Sequence, residues 1–130
     1  MVFRVLDATA FYAGIPFVSN DFFMTTNAVY DEIQHIKRKQ GALEMLQQTG
    51  RLQIRDPSKD SINVVRDAAE RTGDSVTISE QDVSIIALAL ENKIGLITDD
   101  FAVTNVAKQL KIKTDSLMTQ GINTVGKWIS

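Results

Sequence analysis

Short apolar runs alternate with longer stretches of helical periodicity along the chain, and this alternation limits the fold more than any other feature. The runs "VFRVL" (2–6), "DFFMTT" (21–26), "RLQIR" (51–55), "IGLIT" (94–98) and "IKT" (112–114) have the length and composition of strands. Between the first two, "ATAFYAG" (8–14) reads as a short helix ended by Gly14. Residues 27–49 read as one long helix, its buried stripe marked by Val29, Ile33, Ile36 and Leu43, with Gly50 just past its end. Residues 59–71 form another, with Ile62, Val65 and Ala69 on one face and "TGD" (72–74) closing it. Ser79 opens "SEQDVSIIALALENK", apolar almost all round in its middle and therefore buried. Residues 101–110 place Val103, Val106, Ala107 and Leu110 at helical spacing. Strands separated by helices of this length join in parallel, and a parallel sheet needs cover on both faces. The expectation is one α/β domain, a three-layer sandwich with a central parallel sheet and helices on both faces.

The 130 residues, 44% of them hydrophobic, suffice for one core. There is no cysteine, which excludes disulfides, thiolate zinc sites and cysteine nucleophiles and fits a reducing cytoplasm. His35 is the only histidine, so a Ser-His-Asp triad or a multi-histidine metal centre is disfavoured and His35 is read as structural. No apolar run approaches the roughly 18 residues of a spanning helix, and the N-terminus lacks a signal-peptide pattern. A cytoplasmic location without a membrane partner is expected. The net charge of −2 gives no global attraction to nucleic acid, so any such binding is local.

Acid chemistry then rests on carboxylates. Asp7 directly follows the first strand, and Asp99 and Asp100 directly follow the strand at 94–98. Open α/β sheets bind ligands outside the carboxyl ends of their strands, where strand order reverses, so these acids meet if the two strands are neighbours. Glu32 shares a helix face with Val29, Ile33 and Ile36, and a carboxylate beside a buried stripe needs a partner. Asp82 lines up with Ile85, Ile86 and Ala89. Each acid also has a plain explanation. Asp100 can cap the helix at 101, Asp7 the helix at 8, Asp82 can complete a capping box with Ser79, and Glu32 can pair with a base. Those readings leave the joint pattern unexplained, because clustered carboxylates raise one another's pKa unless a cation compensates. Hard divalent ions, Mg²⁺ or Mn²⁺, are the natural compensation and lead to phosphodiester hydrolysis.

"VLDATAF", "VYDEI", "SEQDVSIIALAL" and "LITDDFAVTNVAKQL" resemble, in that order, the four acidic motifs of the PIN-domain ribonucleases over roughly residues 3–115. Within that group the stretch from "TGD" to "NVAKQLKI" is most similar to the NOB-type endonucleases, which trim the 3′ end of small-subunit ribosomal RNA. VapC-type toxins are similar in the four acids. The resemblance implies Asp7, Glu32, Asp82 and Asp100 as metal-binding or water-activating acids, with Asp99 as a further catalytic contributor. It implies Thr9 and Thr98 as hydroxyl supports, Mg²⁺ or Mn²⁺ as cofactor and single-stranded RNA as substrate. NOB-type proteins carry a zinc ribbon after the PIN domain, and a chain without cysteine has no ligands for one, so no zinc is expected. The domain expected is a PIN-like nuclease at 1–117 followed by a tail at 118–130 that carries Trp128.

Phosphates need cations. Lys37, Arg38 and Lys39 are candidate RNA contacts, and Lys108, Lys111 and Lys113 cluster later in the chain. Phe11, Tyr12, Phe22 and Phe23 can stack on bases, with core packing as the plainer reading. The expected partners are an rRNA precursor, a pre-ribosomal particle and a second copy of the chain. The alternatives weighed are a VapC-type toxin, a non-catalytic PIN scaffold and a phospho-receiver domain. The last of these pairs its acids after the first strand, whereas here the pair comes after "GLIT".

Overall fold

The computed structural model describes residues 2–36 and 40–119. Five strands, β1 (Phe3–Leu6), β2 (Phe22–Thr25), β3 (Leu52–Ile54), β4 (Gly95–Ile97) and β5 (Thr114–Asp115), form one sheet in the order β3-β2-β1-β4-β5. Every neighbouring pair is parallel. The chain steps outward from β1 to β3, then crosses back to lay β4 on the other side of β1. The reversal of strand order therefore falls between β1 and β4.

The helices are α1 (Ala8–Tyr12), α2 (Ile15–Val18), α3 (Asn27–Ile33), α4 (Gln40–Gln48), α5 (Lys59–Thr72), α6 (Glu80–Asn92) and α7 (Phe101–Gln109), and a 3₁₀ turn spans Leu117–Thr119. The three-layer arrangement is the one expected. Helix α6 buries Val83 and Ile85 to Ala89 because β1 lies on one side of it and α5 and α7 on others. Val5, Leu6, Leu96 and Ile97 of the two central strands are fully buried. Among the described residues no helix is long and apolar enough to cross a membrane.

Three local expectations are corrected. The single helix at 27–49 is two helices. The last α-type bond of the first runs from Gln34 N to Tyr30 O, and Ile36 N then bonds Ile33 O in a tighter turn. A straight 23-residue helix would run about 34 Å, more than twice the length of a four-residue strand, so it would overshoot the sheet it has to cover. The stripe survives the break, with Val29, Ile33 and Leu43 buried. Gly14 does more than end α1: at φ 82° it turns the chain into α2, whose Pro16 suits a first turn. The last strand falls at 114–115 because Ile112 is spent closing α7, its N–H bonded to Ala107 O at 2.8 Å.

Candidate active site

Leu6 pairs with Ile97 at the carboxyl ends of β1 and β4, so the residues that follow each strand stand side by side. Thr98 Oγ1 donates to Asp7 Oδ2 at 2.9 Å across 91 positions of sequence. The same hydroxyl accepts the Asp100 N–H at 3.1 Å. One buried threonine thus sets both the first acid and the last. Asp7 also caps α1 through Oδ1, which accepts from Ala10 N at 2.9 Å. Asp100 caps α7, its Oδ1 accepting from Val103 N at 3.0 Å. Asp99 Oδ1 accepts from Leu117 N at 3.2 Å. Asp82 closes a capping box with Ser79, donating from its N at 3.0 Å and accepting from Ser79 N at 3.2 Å. The capping explanations are therefore correct, and they coexist with convergence. Asp7, Thr9, Asp82, Asp99 and Asp100 line one open cavity of about 290 Å³.

Burial pushes the Asp7 carboxyl above the usual carboxylate range. The hydrogen bonds from Ala10 and Thr98 pull it back, and the negative charges of Asp82 and Asp100 push it further up. Among the described residues no lysine, arginine or histidine lines the cavity. Such a set of oxygen donors suits a hard cation. No three of the carboxylates form a closed ligand group among the described residues. That spacing is compatible with an octahedral ion that keeps several waters and takes only one or two carboxylates directly.

Glu32 is set apart from these acids. It is exposed although it shares a helix face with buried Val29 and Ile33, and it does not line the cavity. Its partners are Tyr12 Oη, donating to Oε2 at 3.1 Å, and Gln81 Nε2, donating to Oε1 at 3.1 Å. Gln81 neighbours Asp82, so Glu32 stands at the edge of the cluster. Lys37, Arg38 and Lys39 lie outside the described residues, as does Trp128. Lys111 and Lys113 join Lys93 around a separate cavity of about 450 Å³ at the amino ends of the strands, away from the acids. His35 is exposed in the turn after α3.

Sequence reasoning missed two features. Thr26 caps α3 and its hydroxyl meets Ser84 Oγ at 2.9 Å, tying α3 to α6, while Thr25 Oγ1 donates to Leu6 O at 2.9 Å beside Asp7. The threonine pair ahead of a helix start was the available signal. Phe11 and Phe23 are core, as the plainer reading had it, whereas Phe101 at the first position of α7 is 79% exposed. An aromatic outside the helical stripe was the signal there.

Residues 4–91 match a family described as the PIN domain of ribonuclease. The chain is 36% identical over 124 residues to a protein of Pyrococcus abyssi named Endoribonuclease Nob1, covering 95% of this chain and 73% of that one. It is 30% identical to Ribonuclease VapC3 of Aeropyrum pernix over 122 residues, 90% of this chain and 87% of that one. It is 37% identical over 79 residues to the 20S-pre-rRNA D-site endonuclease NOB1 of Saccharomyces cerevisiae, 61% of this chain and 17% of that one.

Proposed function

We propose a function from the premise that this chain belongs to the PIN-domain ribonucleases: it is a metal-dependent endoribonuclease that hydrolyses single-stranded RNA in the maturation of the small-subunit rRNA 3′ end. The observation that carries this reading is the meeting of Asp7, Asp82, Asp99 and Asp100 around one open cavity that has no cationic side chain among the described residues. The endonuclease names of the Pyrococcus and Saccharomyces relatives support RNA, and rRNA in particular, as the substrate.

In this reading Asp7, Asp82, Asp99 and Asp100 hold Mg²⁺ or Mn²⁺, and Glu32 assists from the edge. Bound there, the ion supplies an activated water and offsets charge on the phosphate. Thr98 keeps the Asp7 carboxylate and the Asp100 backbone in one orientation, so neither acid has to be ordered during reaction. The hydroxyl of Thr9, exposed on the cavity wall, receives a water or a phosphate oxygen. Lys37, Arg38 and Lys39 supply phosphate contacts beyond the acids. The catalytic domain is 1–117 and the tail 118–130 in this reading; the burial of Leu117 and its bond to Asp99 support including residue 117, and the 3₁₀ turn carries the described chain on to Thr119. The protein works in the cytoplasm on a pre-ribosomal particle, as a monomer or a homodimer.

The test is cleavage of an RNA spanning a small-subunit rRNA 3′ end with Mn²⁺ or Mg²⁺, with EDTA, and by the Asp7→Asn and Asp100→Asn proteins. Cleavage lost in EDTA and in both variants is expected, with a discrete cut at the mature end. Cleavage scattered over unrelated RNAs, together with growth arrest on expression, would favour a VapC-type toxin. No metal-dependent cleavage of any RNA would leave a non-catalytic scaffold.

A further inference from the structure

Of the six phenylalanines, Phe3, Phe11, Phe17, Phe22 and Phe23 are buried or half-buried. Phe101 is 79% exposed. Its helix packs without it, since α7 buries Ala102, Val103, Val106 and Ala107. A single exposed apolar side chain is ordinary on a protein surface, so its position has to decide what it means. Phe101 opens α7 directly after Asp99 and Asp100, both of which line the acidic cavity. The Cα–Cβ bond of a helical residue tilts toward the helix N-terminus, which carries this ring toward the cavity end of the sheet. A second exposed apolar residue follows a backbone contact to Asp99. Leu117 donates its N–H to Asp99 Oδ1 at 3.2 Å, and the adjoining Met118 is 58% exposed.

We propose that Phe101 is a base-stacking residue of the RNA site, gripping a nucleotide next to the scissile phosphate, with Met118 flanking the same base. The proposal rests on the RNA-cleaving reading above. Its physical basis is the charge of the cavity. Four carboxylates repel an RNA strand, and among the described residues no cationic side chain lines the wall to draw it in. A base presents a neutral face, and stacking on an aromatic ring needs no charge and tolerates any base. Grip beside the acids therefore comes from a contact that salt does not weaken, while ionic contacts to phosphates elsewhere fall away as salt rises.

The experiment measures kcat and KM on a single-stranded RNA with Mn²⁺ for wild type, Phe101→Ala, Phe101→Leu, Phe101→Tyr and Phe101→Trp, at two salt concentrations. Thermal midpoints serve as the control for folding. Phe101→Ala and Phe101→Leu should raise KM roughly 5- to 150-fold, the range expected for one lost stack, with the larger effect on KM than on kcat. Tyr and Trp should restore it, and the ratio to wild type should be the same at both salts. An abasic site at one position of the RNA should erase the difference between wild type and Phe101→Ala. A wild type that cleaves RNA while Phe101→Ala or Phe101→Leu matches it in KM would overturn the stacking role alone. A wild type that neither cleaves nor binds RNA would overturn the functional reading and this proposal with it.

Discussion

At the scale of single residues, the Thr98 hydroxyl couples Asp7 to Asp100. Thr98→Val keeps the shape and removes both bonds, leaving the Asp100 N–H without its partner. It should cost about 1–3 kcal/mol in urea unfolding and, as a lost supporting contact, about 10- to 100-fold in cleavage rate, with Thr98→Ser close to wild type. Asp7 carries a second prediction. Its folded pKa lies above the ordinary value, chiefly through burial. A carboxyl shifted in that direction stabilises the fold fully below the unfolded pKa, and the contribution is lost as pH rises through the folded value. In EDTA at neutral pH the ionised Asp7 is thus a liability, and Asp7→Asn should raise the thermal midpoint while abolishing cleavage. The gain should fade as pH falls through the raised folded value and be gone below the ordinary carboxylate value of 3.8. Manganese should stabilise wild type more than the variant. An Asp7→Asn midpoint below wild type at every pH would show that its hydrogen bonds outweigh its burial.

At the scale of elements, two roles share Asp100. Asparagine caps a helix about as well as aspartate. Asp100→Asn should therefore leave stability within a few tenths of a kcal/mol while removing cleavage, and Asp100→Ala should lose activity together with about 1 kcal/mol. Equal loss of stability in both, read by denaturant melts, would argue against the cap at Val103 N. The elements also show where sequence reading stops. The period of α5, α6 and α7 was legible because each packs one continuous face or is enclosed all round. The break after Ile33 was not, since Val29, Ile33, Ile36 and Leu43 keep helical spacing across it. Glu32 shows a related limit: adjacency to a stripe on a helical wheel gives the face but not the cover, and here the side chain is exposed while bonded to Tyr12 and Gln81.

For the whole molecule, the balance rests on a core shared by the sheet and α6. Ile86 is fully buried there, and Ile86→Ala should cost about 2–5 kcal/mol by chemical denaturation, with no role in the cavity to confuse the reading. A loss under 1 kcal/mol would mean that the helix layer repacks around the gap. By itself the sequence determined the alternation of strands and helices, the parallel sheet between helical layers and the residue types available for chemistry. Those follow from spacings of two to four residues and from side-chain composition, which are local. Only the tertiary structure decided that β1 and β4 are neighbours, that Asp7 and Thr98 meet across 91 positions, that Glu32 is exposed between Tyr12 and Gln81 and that Phe101 is left in solvent. Strand order and cover are set by the packing of the entire chain, and no short spacing encodes them.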